Sequence, residues 1–158
     1  MIRKSPDTVD FSTLRRPRSP NTFLVAPAGF TPAPVDLIAP EFPISAEALR
    51  QAWLAMLDEM PRVQILGPID AAVVEAIQYT PVLRFPDRIT ARFIPLSNGR
   101  STFAVYSRSR YGYSDFGVNR RRIRAWLTRL EERVLDSVRR PRPSYAAHTS
   151  MASPKLRK

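Results

Sequence analysis

Most of the side chains that could do chemistry lie in one stretch, residues 106–122. It reads Tyr-Ser-Arg-Ser-Arg-Tyr-Gly-Tyr-Ser-Asp-Phe-Gly-Val-Asn-Arg-Arg-Arg. Hydroxyls, backbone N–H groups and guanidiniums all donate hydrogen bonds, and glycines allow unusual backbone angles. This combination suits an anion or an acidic partner. We therefore expect a phosphate- or carboxylate-bearing small molecule, an acidic protein or a lipid head group to bind there.

We expect the ligand contacts where the last predicted strand gives way to a helix. Arg108 and Arg110 share one face of that strand, because side chains alternate along a strand. The helix begins near Asn119, so free N–H groups and a positive macrodipole should lie beside the strand arginines. The expected ligand-binding residues are Ser107, Arg108, Ser109, Arg110, Ser114, Asn119, Arg120 and Arg122. The expected supporting residues are Asp87, Gly112, Tyr113, Asp115 and Gly117.

The same residues also allow a purely structural interpretation. Asn119 lies one turn before Ile123 and therefore starts on the inward face of the helix, where its amide could cap or tie the first turn. Asp87 and Asp115 could neutralise arginines in a closed salt-bridge network. The sequence alone leaves the closed network and the ligand pocket open.

Catalysis receives little support from the composition. The chain has 0 Cys and a single histidine, His148, which lies in the C-terminal tail. A thiolate nucleophile is therefore excluded, and a Ser-His-Asp triad or a histidine metal site would need that tail to fold back. Acid–base chemistry by Asp87 with Asp115 remains as an enzyme alternative. We expect no catalytic residue, no metal and no cofactor, and hence a binding module.

The positive charge favours a second alternative, electrostatic binding of nucleic acid. The net charge is +11, and residues 107–143 hold 11 arginines against 4 acidic residues. A basic C-terminal helix and tail would attract a phosphate backbone. Signatures of the common RNA-binding motifs, of a helix-turn-helix and of zinc fingers are missing from the sequence. Nucleic-acid binding is therefore the alternative and anion binding the leading hypothesis.

Two helices and several strands must position these residues. Ser45 is a good N-cap for a first helix that Pro61 ends, and a second helix runs from Val118 or Asn119 to Val138. Between them the apolar period approaches two, which predicts strands at residues 63–65, 73–83, 88–96 and 100–110. The predicted fold class is α+β, with an antiparallel sheet of about four strands packed by two helices.

A hairpin turn sets the expected pairing of the last two strands. Asn98 and Gly99 together are typical of a two-residue turn, because both tolerate left-handed backbone angles. That turn places Ile94 opposite Phe103.

The first 44 residues hold half of the 16 prolines, which excludes a long helix there. We expect a flexible segment at residues 1–20, a single domain at 21–138 with an extended proline-rich arm at its start, and a disordered basic tail at 139–158. No run approaches the ~20 apolar residues of a membrane span, and no signal peptide follows Met1. The chain as written is expected to be soluble and cytoplasmic, or periplasmic or membrane-anchored if its N-terminus is longer.

Residues 107–122 have the spacing Ser-x-Ser-Arg-x-Gly-x-Ser-Asp-x-Gly-x-Asn-Arg-x-Arg. This spacing resembles the signature of a bacterial and plastid family, domain of unknown function 1499. Arg-Phe-Pro-Asp at residues 84–87 is similar to the family's Arg-Phe-x-Asp element, and the resemblance extends over roughly 21–138. The family has no established activity, so the resemblance implies a site and a cell-envelope setting. Its members often carry an N-terminal signal or anchor that is not found here. Tyr106 stands where some relatives have arginine.

Overall fold

The computed structural model describes residues 9–66 and 72–140 as one sheet with both helices on one face. The predicted α+β class with two helices is confirmed. A short turn at Ser97–Gly99 joins two of the strands. The elements in chain order are β1 Thr22–Ala26, β2 Leu37–Ile38, α1 Ala46–Asp58, β3 Val63–Leu66, β4 Val73–Tyr79, β5 Pro86–Pro95, β6 Ser101–Ser109 and α2 Val118–Arg139.

The four predicted strands are found as β3 to β6 and pair antiparallel, but the prediction is wrong in the number of strands and in a purely antiparallel sheet. The sheet has six strands in the order β2-β1-β6-β5-β4-β3, and β1 and β2 run parallel while every other pair is antiparallel. β1 lies in the proline-rich segment, but its five residues between Pro20 and Pro27 contain no proline. Their N–H groups are therefore available to pair with β6.

The predicted pairing of β5 with β6 is wrong by one residue. Asn98 and Gly99 adopt the expected left-handed angles, with φ of 58° and 69°. Arg100, however, donates its N–H to Ser97 O at 3.3 Å and accepts from Leu96 N at 2.9 Å. Leu96 and Ser97 thus both lie opposite Arg100. This is a β-bulge, which the Asn98-Gly99 turn pattern does not predict. As a result Phe93, and not Ile94, faces Phe103.

Both helices pack their apolar stripes on one face of the sheet. Ser45 caps α1 as predicted by accepting the N–H of Ala48 at 3.1 Å. Trp53 of α1 meets Trp126 of α2 edge to face, with ring centroids 5.7 Å apart. Burying large aromatic side chains in this way contributes much of the stability of a small domain.

The N-terminal segment covers part of the opposite face. Phe11 and Leu14 are buried against Leu24 and Tyr106. Residues 9–20, which were expected to belong to a flexible segment, thus contribute to the packing. Residues 1–8 and the expected tail at 141–158 lie outside the described residues.

Candidate functional site

The polar residues of the 107–122 stretch meet on the helix side of the sheet, where β6 ends and α2 begins. Two of them, Asn119 and Arg122, belong to the start of α2 and are buried. Residues three and four apart lie on the same side of a helix, so Asn119, Arg122 and Ile123 all face the sheet. A buried amide and a buried guanidinium must find hydrogen-bond partners inside the protein.

Asn119 ties the start of α2 to β6 and to the segment before β1. Its Oδ1 accepts a hydrogen bond from Ser107 Oγ at 2.5 Å and another from Arg122 Nη1 at 2.7 Å. Its Nδ2 donates to the backbone oxygen of Asn21 at 2.9 Å and to Ser109 Oγ at 2.8 Å. Protein groups thus occupy both ends of the amide, as the structural interpretation of Asn119 predicts.

Arg122 joins α2 to three strands. Its Nη2 lies 2.5 Å from Oδ2 of Asp87 on β5, and its Nε donates to Gln78 Oε1 on β4 at 2.6 Å. Nη1 also reaches Ser107 Oγ on β6 at 3.2 Å. The Arg122 and Asp87 side chains are only 5% and 3% exposed. A ligand could bind this guanidinium only by breaking a buried ion pair, so we assign Arg122 a structural position.

The carboxylate of Asp115 occupies the start of α2. Its Oδ1 accepts the N–H of Gly117 at 2.8 Å, and its Oδ2 accepts the N–H and the Nδ2 of Asn119 at 2.8 and 2.7 Å. Gly117 is the N-cap, with φ of 76°. The positive end of the helix is therefore satisfied by the chain's own acid. An external anion would have to displace Asp115.

The loop between β6 and α2 holds the remaining expected residues. Ser114 Oγ accepts the N–H of Phe116 at 3.2 Å, and the Gly112 carbonyl accepts from Asn21 Nδ2 at 2.8 Å. Tyr113 is exposed. Ser114 and Gly112 therefore shape the loop, while the Tyr113 ring meets solvent.

The four arginines that were expected to converge are divided among three places. Arg122 is inside the polar network, and Arg108 and Arg110 line a cavity of about 150 Å³ that the network does not share. Arg120 is exposed and lines a separate hollow of about 360 Å³ with Arg124. The expected common hollow at the helix start is therefore not formed.

We call the cavity that is lined by Arg88, Arg108 and Arg110 the arginine cavity. Ile77, Pro86 and Ser109 complete its lining. Arg88 lies directly opposite Arg108 in the β5–β6 ladder. Arg88 was not expected in the site, because the expected register places Ser109 opposite it.

Buried polar groups surround these guanidiniums. Arg88 Nη2 lies 2.8 Å from Glu75 Oε2, and Glu75 is buried. Arg108 Nη1 donates to Thr90 Oγ1 at 3.2 Å, and the guanidinium lies 5.5 Å from the Tyr106 ring centre. Burial of the Tyr106 phenol raises its pKa above the usual value. The tyrosine thus stays neutral at pH 7 and offers its ring face to a cation.

A family model described as "Protein of unknown function (DUF1499)" matches residues 14–130. The chain belongs to this family. The resemblance inferred from the signature is therefore confirmed, and the match covers most of the predicted domain. No curated protein matches this DUF1499 chain.

Two solved structures share a distant likeness with the DUF1499 chain. The crystal structure of TTHA0849 from Thermus thermophilus is 13% identical and has a TM-score of 0.35, covering 63% of this chain and 95% of that one. The ZhuI aromatase/cyclase from Streptomyces sp. R1128 is 13% identical and has a TM-score of 0.31, covering 68% of this chain and 94% of that one. Likeness at this level indicates nothing about ligands.

Two further findings concern residues 9–66 and 72–140 of the DUF1499 chain. Neither helix there combines the length and the apolar character needed to cross a bilayer. Within the same ranges, no three His, Asp or Glu side chains are grouped so that they could hold a metal ion.

Proposed function

We propose that this DUF1499 chain is a non-catalytic module that binds a phosphate- or carboxylate-bearing anion in the arginine cavity. The observation that carries the proposal is that Arg88, Arg108 and Arg110 line one cavity at the shared end of β5 and β6. The proposal keeps Arg108 and Arg110 as ligand contacts and adds Arg88, whereas the Ser109 hydroxyl is already bonded to Asn119 on the helix side of the sheet. Asn119, Arg122, Asp87 and Asp115 become residues that hold the site in shape.

The facing arginines give the cavity a reason to take an anion. Like charges directly opposite one another in an antiparallel pair are destabilising, and Arg88 faces Arg108 in this way. Glu75 offsets part of the repulsion from its buried position. A bound anion between the guanidiniums would offset more. Each guanidinium presents its N–H donors in a planar fork that matches the geometry of a carboxylate or a phosphate.

The size of the cavity limits the bound group. A cavity of about 150 Å³ has room for a single phosphate or carboxylate group. A larger ligand would place its acidic group here and leave the rest outside.

Binding without catalysis is supported by the state of the two acids that the enzyme alternative requires. Asp87 is paired with Arg122, and Asp115 accepts the N–H groups at the start of α2. A general acid or base needs access to the substrate's proton. Both carboxylates instead stabilise the joint between β5, β6 and α2.

The proposal is tested by titrating inorganic phosphate at constant ionic strength and measuring heat of binding. Arg110→Gln should weaken binding by about 1.5–3 kcal/mol, the value of a hydrogen bond to a charged group. Arg92→Gln is the matched control, because Arg92 is an exposed arginine on β5 and its loss changes the net charge equally. Equal losses in the two variants would indicate general charge attraction and would contradict the proposal.

The nucleic-acid alternative predicts a different pattern. Affinity for single-stranded DNA would then fall when the exposed arginines of α2, such as Arg120 and Arg124, are replaced by glutamine. It would not respond to Arg110→Gln more than to Arg92→Gln.

A further inference from the structure

Two loops at one end of the sheet hold large apolar side chains in solvent. One loop precedes β5 and the other joins β6 to α2. Val82 is 87% exposed, Leu83 69%, Tyr113 74% and Phe116 86%. Single exposed apolar residues are common, but several on neighbouring loops mark an interaction surface.

The two loops form one continuous surface. Phe85 of the first loop contacts Tyr111 of the second, with ring centroids 6.2 Å apart. A groove of about 380 Å³ runs between the loops. We call this surface the apolar rim, and it consists of Val82, Leu83, Phe85, Tyr111, Tyr113 and Phe116.

Hydrogen bonds hold the first loop in its exposed shape. The N–H of Thr80 donates to the Phe85 carbonyl at 3.0 Å, and the N–H of Phe85 donates to Thr80 Oγ1 at 2.9 Å. These bonds close the loop and leave Val82 and Leu83 at its tip. Their exposure is therefore part of the folded structure.

The backbone of Phe116 in the second loop is strained. Its φ of 52° is left-handed, a conformation that bulky residues rarely adopt. Ser114 accepts its N–H, and Arg121 Nη1 donates to its carbonyl at 2.8 Å. Backbone strain of this kind persists where the surroundings enforce it, and it concentrates at functional positions. Here it keeps an aromatic ring almost wholly in water, where the ring contributes little packing.

The charges beside the apolar rim favour an anionic partner. Arg84 and Arg110 are exposed next to the apolar side chains. Two carboxylates, Asp87 and Asp115, line the groove, and both are engaged by groups of the protein itself. The rim therefore presents apolar tips flanked by cations, the pattern of a segment that enters the interface of a negatively charged membrane.

We propose that the apolar rim inserts into the head-group region of an anionic lipid bilayer. Val82 and Phe116 line the groove but are largely exposed, so an occupant confined to the groove would cover only part of their surface. The apolar region of a lipid bilayer would cover the protruding side chains from outside. Tyr111 and Tyr113 combine an apolar ring with a hydroxyl, which suits the boundary between acyl chains and water. This inference shares only Arg110 with the proposed anion site.

Co-sedimentation of the full chain with vesicles tests the inference. One set contains phosphatidylcholine alone, and the other contains about one-third phosphatidylglycerol. We expect the anionic vesicles to bind the protein more strongly. Phe116→Gly should reduce that binding about tenfold, because a ring is lost from the apolar phase. Thermal stability should stay equal or rise, because glycine tolerates the left-handed angle. A loss of binding can then not be attributed to misfolding.

The matched control is Leu135→Ser on α2. Leu135 is also an exposed apolar residue, but it lies outside the rim, so binding should not change. Leu83→Ser should behave like Phe116→Gly. Equal binding of the wild-type chain and both rim variants, or no binding to either vesicle, would overturn the inference. Sedimentation as a dimer that Phe116→Gly dissociates would assign the rim to a second copy and would also overturn it. Arg110→Gln loses phosphate binding while Phe116→Gly retains it, so the two proposals fail separately.

Discussion

Nη2 of Arg122 lies 2.5 Å from Oδ2 of Asp87, and both side chains are almost completely buried. The pair connects α2 to β5 beneath the loop between β6 and α2. Two residues of the family signature and its upstream element are therefore used to fix the fold.

Removing one partner of this pair should destabilise the protein strongly. We expect Arg122→Met to lower the free energy of unfolding by about 3–5 kcal/mol, because the Asp87 carboxylate is left buried and uncompensated. Urea unfolding measures the change. The double variant Asp87→Leu with Arg122→Met should recover part of the loss, since it buries no charge. A single-variant loss below about 1 kcal/mol would show that the pair is dispensable.

The carboxylate of Asp115 should act as a helix cap. Asp115→Asn should lower the free energy of unfolding by about 0.5–2 kcal/mol, because the N–H groups of Gly117 and Asn119 lose a charged acceptor. Asp136→Asn is the control at the other end of α2, where a negative charge is unfavourable. It should be neutral or slightly stabilising. The same loss in both variants would contradict the capping role.

Tyr106 should make the protein sensitive to alkaline pH. Burial is the largest influence on its pKa and raises it above the ordinary 10.0, although a hydrogen bond with Thr22 and nearby arginines act in the opposite direction. The neutral phenol is therefore favoured by folding. Its contribution is complete below pH 10 and is lost as the pH rises through the folded-state pKa.

Comparison with Tyr106→Phe isolates this contribution. The difference in unfolding free energy between wild type and variant should be constant from pH 7 to about 9 and should shift against the wild type above about 10. Chemical unfolding at each pH provides the values. A difference that does not change with pH would mean that the phenol ionises equally well in the folded protein.

The facing arginines predict a link between phosphate and stability. In phosphate-free buffer, Arg108→Gln should cost little, because relief of repulsion with Arg88 offsets the lost contacts to Thr90 and Tyr106. Phosphate should raise the melting temperature of the wild type and leave that of the variant unchanged. Sodium chloride, the salt control, should shift the melting temperatures of the two proteins equally. A phosphate response retained by the variant would place the anion elsewhere.

Local signals predicted the helices well and the strand pairing poorly. α2 was expected to run from Val118 or Asn119 to Val138 and is found at Val118–Arg139, because an apolar stripe and a glycine mark its limits. The one-residue bulge beside Arg100 depends on hydrogen bonds between strands, which leave no mark in the sequence. The register error then hid the pairing of Arg88 with Arg108.

The residue types correctly indicated that polar side chains meet where β6 ends and α2 begins. They did not indicate that the arginines are divided among separate places. Asn119 was expected on the inward face and is found there. Alternation along β6 places Ser107 toward the helices and Arg108 toward the opposite face, so the strand arginines and Arg122 cannot meet. The apolar rim went unnoticed because exposure depends on the loops' tertiary positions.

β1 lies between β2 and β6, and β6 is encoded roughly eighty residues after β1. During synthesis β1 therefore cannot pair with β6 until nearly the whole domain has left the ribosome. We expect the hairpins β3 to β6 to assemble first, since neighbouring segments close short loops. Until β1 arrives, β6 is an unprotected edge that can pair with a neighbouring nascent chain. Chaperone demand should accordingly be concentrated in the interval before this last strand docks.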